Sequence, residues 1–218
     1  MQTNIQIIPA ILAFNEEDYK KKVDIINKTA EFSSGFVQID ITDGEFVTSK
    51  SVGLDIIAKY PIKAKIEAHL MVKNPLIWID SLNKLGVKRI IVSAESDTAE
   101  KSFDKIHELG LEAGFGLNPE TSLGSVAPLM DKVDVLLLLS VHPGLGGQKF
   151  IEESIDKIKQ ASGMRNHYIF KIEADGGINS ENIEAVVEAG ADGIVIGEHL
   201  IYGNIQENLE KLKQRIHS

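Results

Sequence analysis

Eight short apolar runs alternate with eight longer amphipathic stretches along the 218 residues, and that alternation predicts an α/β fold, a (β/α)8 TIM barrel. Two further observations favour a closed barrel over an open doubly wound sheet. The length suits eight strand–helix units as a single domain spanning 1–218, with no Pro/Gly/Ser-rich linker and no shift in composition. The Gly-rich dinucleotide fingerprint of the open fold is also missing, since IIPAILAFN, at the first strand, has no glycine.

The expected strands lie at 5–12, 36–42, 65–71, 89–93, 112–117, 133–141, 169–174 and 193–196. The expected helices lie at 16–32, 52–59, 75–85, 99–109, 123–130, 152–161, 180–189 and 205–216. The third helix has Pro75 at its start and Gly86 just past its end, the usual boundary pair, and Trp78 with its apolar neighbours reads as packing against the barrel. Asn179 or Ser180 can cap the seventh, with Glu181 and Glu184 in its first turns. Lys211, Lys213 and Arg215 fall at the end of the last helix, where the helix dipole favours cations.

Composition excludes several classes. Hydrophobic residues make up 43% and charged residues 25%, as in ordinary globular domains. With 23 Lys plus Arg against 32 Asp plus Glu, the net charge of −9 argues against a duplex nucleic-acid binder. The absence of cysteine removes disulfides and thiolate metal sites together. No apolar run reaches the ~18 residues of a membrane span, and MQTNIQIIPA lacks the basic start of a secretory signal, so a cytoplasmic protein without a membrane partner is expected.

In a barrel the site is built at the C-terminal ends of the strands. Period-two alternation puts Gln38, Asp40 and Thr42 on one face of the second strand, and Glu67, His69 and Met71 on one face of the third. Asp175 ends the seventh strand. A carboxylate on a buried strand is costly unless paired, protonated or bound to a cation. Asp40, His69 and Asp175, at three separate strand ends, point to one convergent centre. Asp43 has the opposite parity and precedes Gly44, which makes it a turn former.

Glycines form a second constellation: Gly144, Gly146 and Gly147 after the sixth strand, Gly176 and Gly177 after the seventh, and Gly197 after the eighth. Exposed backbone amides in such turns can cradle a phosphate. His142 and His199, at strand ends, are secondary candidates for the site; His107, His167 and His217 read as solvated.

Six segments in family order resemble the ribulose-phosphate 3-epimerases: IIPAIL, QIDITDGEFV, HLMVKNP, GLNPETSL, LLLSVHPGLGGQKF and EADGGINSENIEAVVEAGADGIVIG. The resemblance implies a barrel that interconverts D-ribulose 5-phosphate and D-xylulose 5-phosphate. Asp40 and Asp175 would be its acid/base pair, working on opposite faces of an enediolate. It also implies a divalent cation (zinc, iron, manganese, magnesium or cobalt) on Asp40, His69 and Asp175, and a substrate held by His69, Met71 and the six glycines.

The sequence departs from the family at the substrate. Gln38 replaces a histidine ligand, leaving an amide that suits zinc or iron less well than imidazole. Ala10 replaces the serine of the PSIL motif, Thr42 and Leu139 replace two methionines, and Thr48-Ser49 replaces Pro-Asn. Gly197-Glu198 stands where Gly-Ser is expected, putting a carboxylate beside the phosphate site. Two alternatives therefore remain: epimerisation of a related ketose or its phosphate, and a barrel that binds a sugar phosphate without turnover. Homo-oligomers formed through helix faces are compatible with either.

Overall fold

The computed structural model describes residues 5–216. Eight parallel strands, β1 (Gln6–Ile11), β2 (Phe36–Thr42), β3 (Lys65–Met71), β4 (Arg89–Ser93), β5 (Glu112–Leu117), β6 (Val135–Leu139), β7 (Lys171–Asp175) and β8 (Gly193–Ile196), close into a barrel in sequence order. Closure runs through β1 and β8, with Gln6 opposite Gly193 and Pro9 opposite Ile196. The helices are α1 (Glu16–Lys28), α2 (Leu54–Lys59), α3 (Ile79–Lys84), α4 (Ala99–Glu108), α5 (Ser154–Met164), α6 (Ile183–Glu188), α7 (Glu198–Ile201) and α8 (Ile205–Ile216).

Strands β2, β3, β4, β5 and β8 keep the boundaries read from the sequence, while β6 is shorter, at Val135–Leu139. The expected helix at 123–130 is instead two 3-10 segments, Leu123–Ser125 and Ala127–Lys132. Pro128 sits within that stretch and supplies no amide hydrogen to an α ladder. The helix expected at 16–32 ends at Lys28 and continues as a 3-10 turn, Ala30–Phe32. The seventh expected helix starts only at Ile183, after a turn in which the Asn179 amide donates to Asn182 Oδ1 and Asn179 Oδ1 accepts from the Glu181 amide. His217 lies outside the described residues.

Alternation divides the buried apolar residues into two populations. Ile39, Ile41, Ala68, Leu70, Ile90, Val92, Leu136 and Leu138 pack outward against the helices. Ile8, Ala10, Ile91, Val135, Leu137, Leu139 and Val195 fill the interior. Both faces of β2 are therefore covered, and all seven of its residues are buried.

At the N-terminal ends of the strands the interior is ionic. The Arg89 guanidinium is fully buried and donates from Nη1 to Glu67 (2.5 Å) and Glu173 (2.6 Å), and from Nε and Nη2 to Glu112. Its Cζ lies 4.0 Å from the centre of the Phe36 ring. Burial pushes the Glu173 carboxyl well above its usual range and the charge of Glu67 adds to this, with Arg89 opposing both.

Candidate active site

At the opposite end, the strand register sets Asp40 beside His69 on β2 and β3, and Asp175 beside Val195 on β7 and β8. His69 is completely buried and its Nδ1 lies 3.3 Å from Asp40 Oδ1 and 3.8 Å from Asp175 Oδ2. Room for the ring comes from Gly116 on β5, where a Cβ would stand 2.9 Å from His69 Nε2.

Gln38, one turn of the pleat below Asp40, reaches both carboxylates with one nitrogen. Its Nε2 donates to Asp40 Oδ1 at 2.7 Å and to Asp175 Oδ2 at 2.9 Å. Burial raises the Asp175 carboxyl and the negative charge of Asp40 raises it further; His69 and Gln38 pull the other way, and the result is about 7. Asp175 thus holds a proton close to neutrality, next to a second carboxylate.

Asp40, His69 and Asp175 each offer a ligating atom within 4.8 Å of the others, so these three could hold a divalent cation. The donor set, two carboxylates and an imidazole, suits hard or borderline metals. The repulsion that raises Asp175 is the kind a dication relieves. Gln38 Oε1 is buried without a partner, and exchanging the two ends of the amide would bring that oxygen to the point where Nε2 now meets both acids. The residues present therefore fit such an ion.

The glycine turns close the far end of the same cavity. Met71, Leu139, Gly144, Gly146, Gly147, Gly176, Gly177 and Gly197 all line it, as do Ala10, His142 and His199. Among the described residues, the amides of Gly146, Gly147, Gly176 and Gly177 donate no hydrogen bond within the protein. Gly177 is obligatory on two counts: its φ is +65°, and a Cβ would stand 2.5 Å from the Phe150 nitrogen. Gly144 is held differently, with its carbonyl accepting from Ser49 Oγ at 2.6 Å.

A scan of family models matches residues 6–201 to the ribulose-phosphate 3 epimerase family. The chain belongs to that family. It is 37% identical over 195 residues to the ribulose-phosphate 3-epimerase of Aquifex aeolicus (strain VF5), covering 86% of this chain and 87% of that one. Its identity to the enzyme of the same name from Bacillus subtilis (strain 168) is 34% over 205 residues, covering 91% and 93%. This makes the chain a member of a carbohydrate epimerase family, in the isomerase class. Among solved structures, a mutant tryptophan synthase α-subunit from Pyrococcus furiosus superposes with a TM-score of 0.72 at 15% identity, with full coverage of both chains. The 3-hexulose-6-phosphate synthase of Salmonella typhimurium gives 0.67 at 17%, covering 98% and 99%. At these identities the likeness is one of fold.

Against this epimerase-family background, several sequence readings find their places. Asp43 is a turn former: its Oδ1 accepts from the Glu45 and Phe46 amides, and its Oδ2 from the Lys73 amide. His142, at the cavity rim, pairs with Glu120 at 3.0 Å. His107 bonds Asp134 on the outside of the barrel. Lys171 opens β7 and is exposed, far from the carboxylates. No helix among the described residues is long and apolar enough to cross a membrane.

The sequence reading missed two groups. Ser140, directly after the LLLL run of β6, donates from Oγ to the Asp175 carbonyl (3.0 Å) and the Gly176 carbonyl (2.6 Å), fixing the turn that presents Asp175. Its signal was a lone hydroxyl closing a fully apolar strand. Lys22 and Asp18 of α1 also line the cavity, paired at 2.8 Å, and helical periodicity alone gives no sign that they reach it.

Proposed function

We propose that the protein epimerises a ketose at C3 by two-aspartate proton transfer, with D-ribulose 5-phosphate and D-xylulose 5-phosphate as the reference pair. The observation that carries this reading is the Asp40–Asp175 pair, brought together at two strand ends and met by one Gln38 nitrogen. A hydrogen on carbon next to a ketone becomes acidic when the resulting enediolate is stabilised. One aspartate removes the C3 proton from one face, and the other, carrying a proton, returns one to the opposite face. Their roles exchange with reaction direction, so the products are epimers. Near pH 7 a pair of this kind presents one acid and one base together.

A divalent cation on Asp40, His69 and Asp175, with Gln38 Oε1 as a fourth donor, would supply Lewis-acid stabilisation of the enediolate oxygens. Without an ion, Gln38 Nε2 keeps the two carboxylates from drifting apart, buried His69 holds the Asp40 side, and Met71 and Leu139 keep water from the reacting carbons. The amides of Gly146, Gly147, Gly176 and Gly177 remain for oxygens at the far end of the substrate.

Deuterium incorporation at C3 in heavy water, before and after chelation, tests the reading. The wild type is expected to exchange, and Asp40→Asn is expected to lose exchange by at least about a thousandfold while keeping its circular dichroism spectrum. Exchange retained in Asp40→Asn would remove the two-aspartate mechanism. A related ketose is a second reading, favoured by the position of Glu198.

A further inference from the structure

The far end of the cavity carries an unbalanced negative charge. Glu198 follows β8 and opens α7, and its carboxylate folds back over the loop after β6. A Cβ on Gly146 would stand 3.1 Å from Glu198 Oε1, and one on Gly147 would stand 2.7 Å from Oε2. The carboxylate therefore lies on these two glycines, on the side where side chains would project, and it lines the cavity. No protein donor among the described residues meets it.

The charge is not offset nearby. Lys22 also lines the cavity, but its Nζ is held by Asp18 at 2.8 Å and by the Leu12 carbonyl at 2.7 Å, so lysine and aspartate cancel. His142 faces Glu120. His199, exposed on α7, is the other basic group of the lining. A four-residue helix such as α7 offers little dipole of its own against a carboxylate at its first position. Free amides over Gly146 and Gly147 would welcome oxygen atoms, whereas a carboxylate in contact with the same glycines repels a dianion. A hydroxyl satisfies both, donating to Glu198 and accepting from an amide.

We propose that Glu198 is a specificity residue that sets this end of the cavity against a phosphate dianion and for a ketose bearing a free hydroxyl there. The proposal rests on the epimerase reading for its reaction, and on the Glu198–Gly146–Gly147 contact for its selectivity. Specificity of this kind is a difference of affinities produced by a built-in repulsion.

The test compares wild type, Glu198→Gln and Glu198→Ser on D-ribulose and D-ribulose 5-phosphate, following C3 deuterium exchange, with titration of inorganic phosphate by calorimetry in parallel. The expected result is a wild type whose kcat/KM favours D-ribulose. In both variants the ratio for the phosphate ester over D-ribulose should rise by about tenfold or more, and inorganic phosphate should bind more tightly. Gln keeps the size and removes the charge, so a rise in Ser but not in Gln would overturn the electrostatic assignment. A wild type that prefers the ester, with a ratio unmoved or lowered in both variants, would overturn the proposal entirely. Absence of exchange on both ketoses in all three proteins would defeat the epimerase reading instead. The phosphate titration then still decides the role of Glu198: equal affinity in wild type and Glu198→Gln rejects it.

Discussion

Gln38 sits where two carboxylates approach each other across the cavity, with His69 beside both. An amide is a modest ligand but a good donor, and here its nitrogen meets both Asp40 and Asp175. Gln38→His should tighten zinc binding by about tenfold or more in calorimetric titrations, because imidazole is the better ligand for that ion. Unchanged affinity would mean that residue 38 does not reach the metal. Asp175 carries a stability cost with a defined sign. Its folded value, about 7, lies above the ordinary 3.8, so the native state holds a proton that the unfolded chain releases. In metal-free protein this contribution to stability is intact below about pH 4, declines as the pH rises to about 7, and is fully lost above that. Asp175→Asn removes the ionisable group, and at pH 8 in chelator it should melt several degrees higher than wild type, an advantage that shrinks toward pH 4. A variant that melts lower at pH 8 would refute the assigned burden. Strand parity made Asp40 and His69 legible, and the strand end before two glycines made Asp175 so, because a buried strand tolerates such residues only for a reason. The Ser140 hydroxyl was visible at the end of an apolar strand but its role was not, since its partners are carbonyls 35 and 36 positions away.

Strands were easier to read than helices. Phe36–Thr42, Lys65–Met71, Arg89–Ser93 and Glu112–Leu117 carry apolar patterns bounded by polar or turn residues, and both ends follow the sequence reading. Helix ends depend on local side-chain bonds and on proline, which periodicity does not see, hence the 3-10 segments at 123–132 and the late start of α6. The four-residue α7 is too short to show a period at all, yet it places Glu198. On β5 the glycines are spatial rather than conformational. A Cβ at Gly116 would press on His69 Nε2 at 2.9 Å, and one at Gly114 on Ile91 and the Val135 carbonyl at the same distance. Gly116→Ala should therefore tilt His69 away from Asp40, costing about 1–3 kcal/mol of stability in urea melts and reducing C3 exchange more than a surface alanine would. A variant with wild-type exchange would show that the ring has room to spare.

For the molecule as a whole, the barrel interior is ionic at both ends and apolar between them. The lower ionic group could not be located from sequence, because Glu67, Arg89, Glu112 and Glu173 look like ordinary strand charges until closure brings them together. Removing the arginine strands two enclosed carboxylates: Arg89→Met is expected to cost about 3–5 kcal/mol, while the triple variant Arg89→Met/Glu67→Leu/Glu173→Leu should recover most of that in denaturant melts. If Arg89→Met alone is neutral, the network carries no stability. Closure also has a consequence in time. The edge of β1 is completed only by β8, with Gln6 opposite Gly193. A ribosome adding about 5–20 residues per second leaves roughly ten to forty seconds between the emergence of these two strands. Through that interval the first strand of the nascent chain has one row of backbone donors and acceptors unpaired, an edge that other strands can join. The seam that makes the finished ring edgeless is, during synthesis, its most vulnerable line.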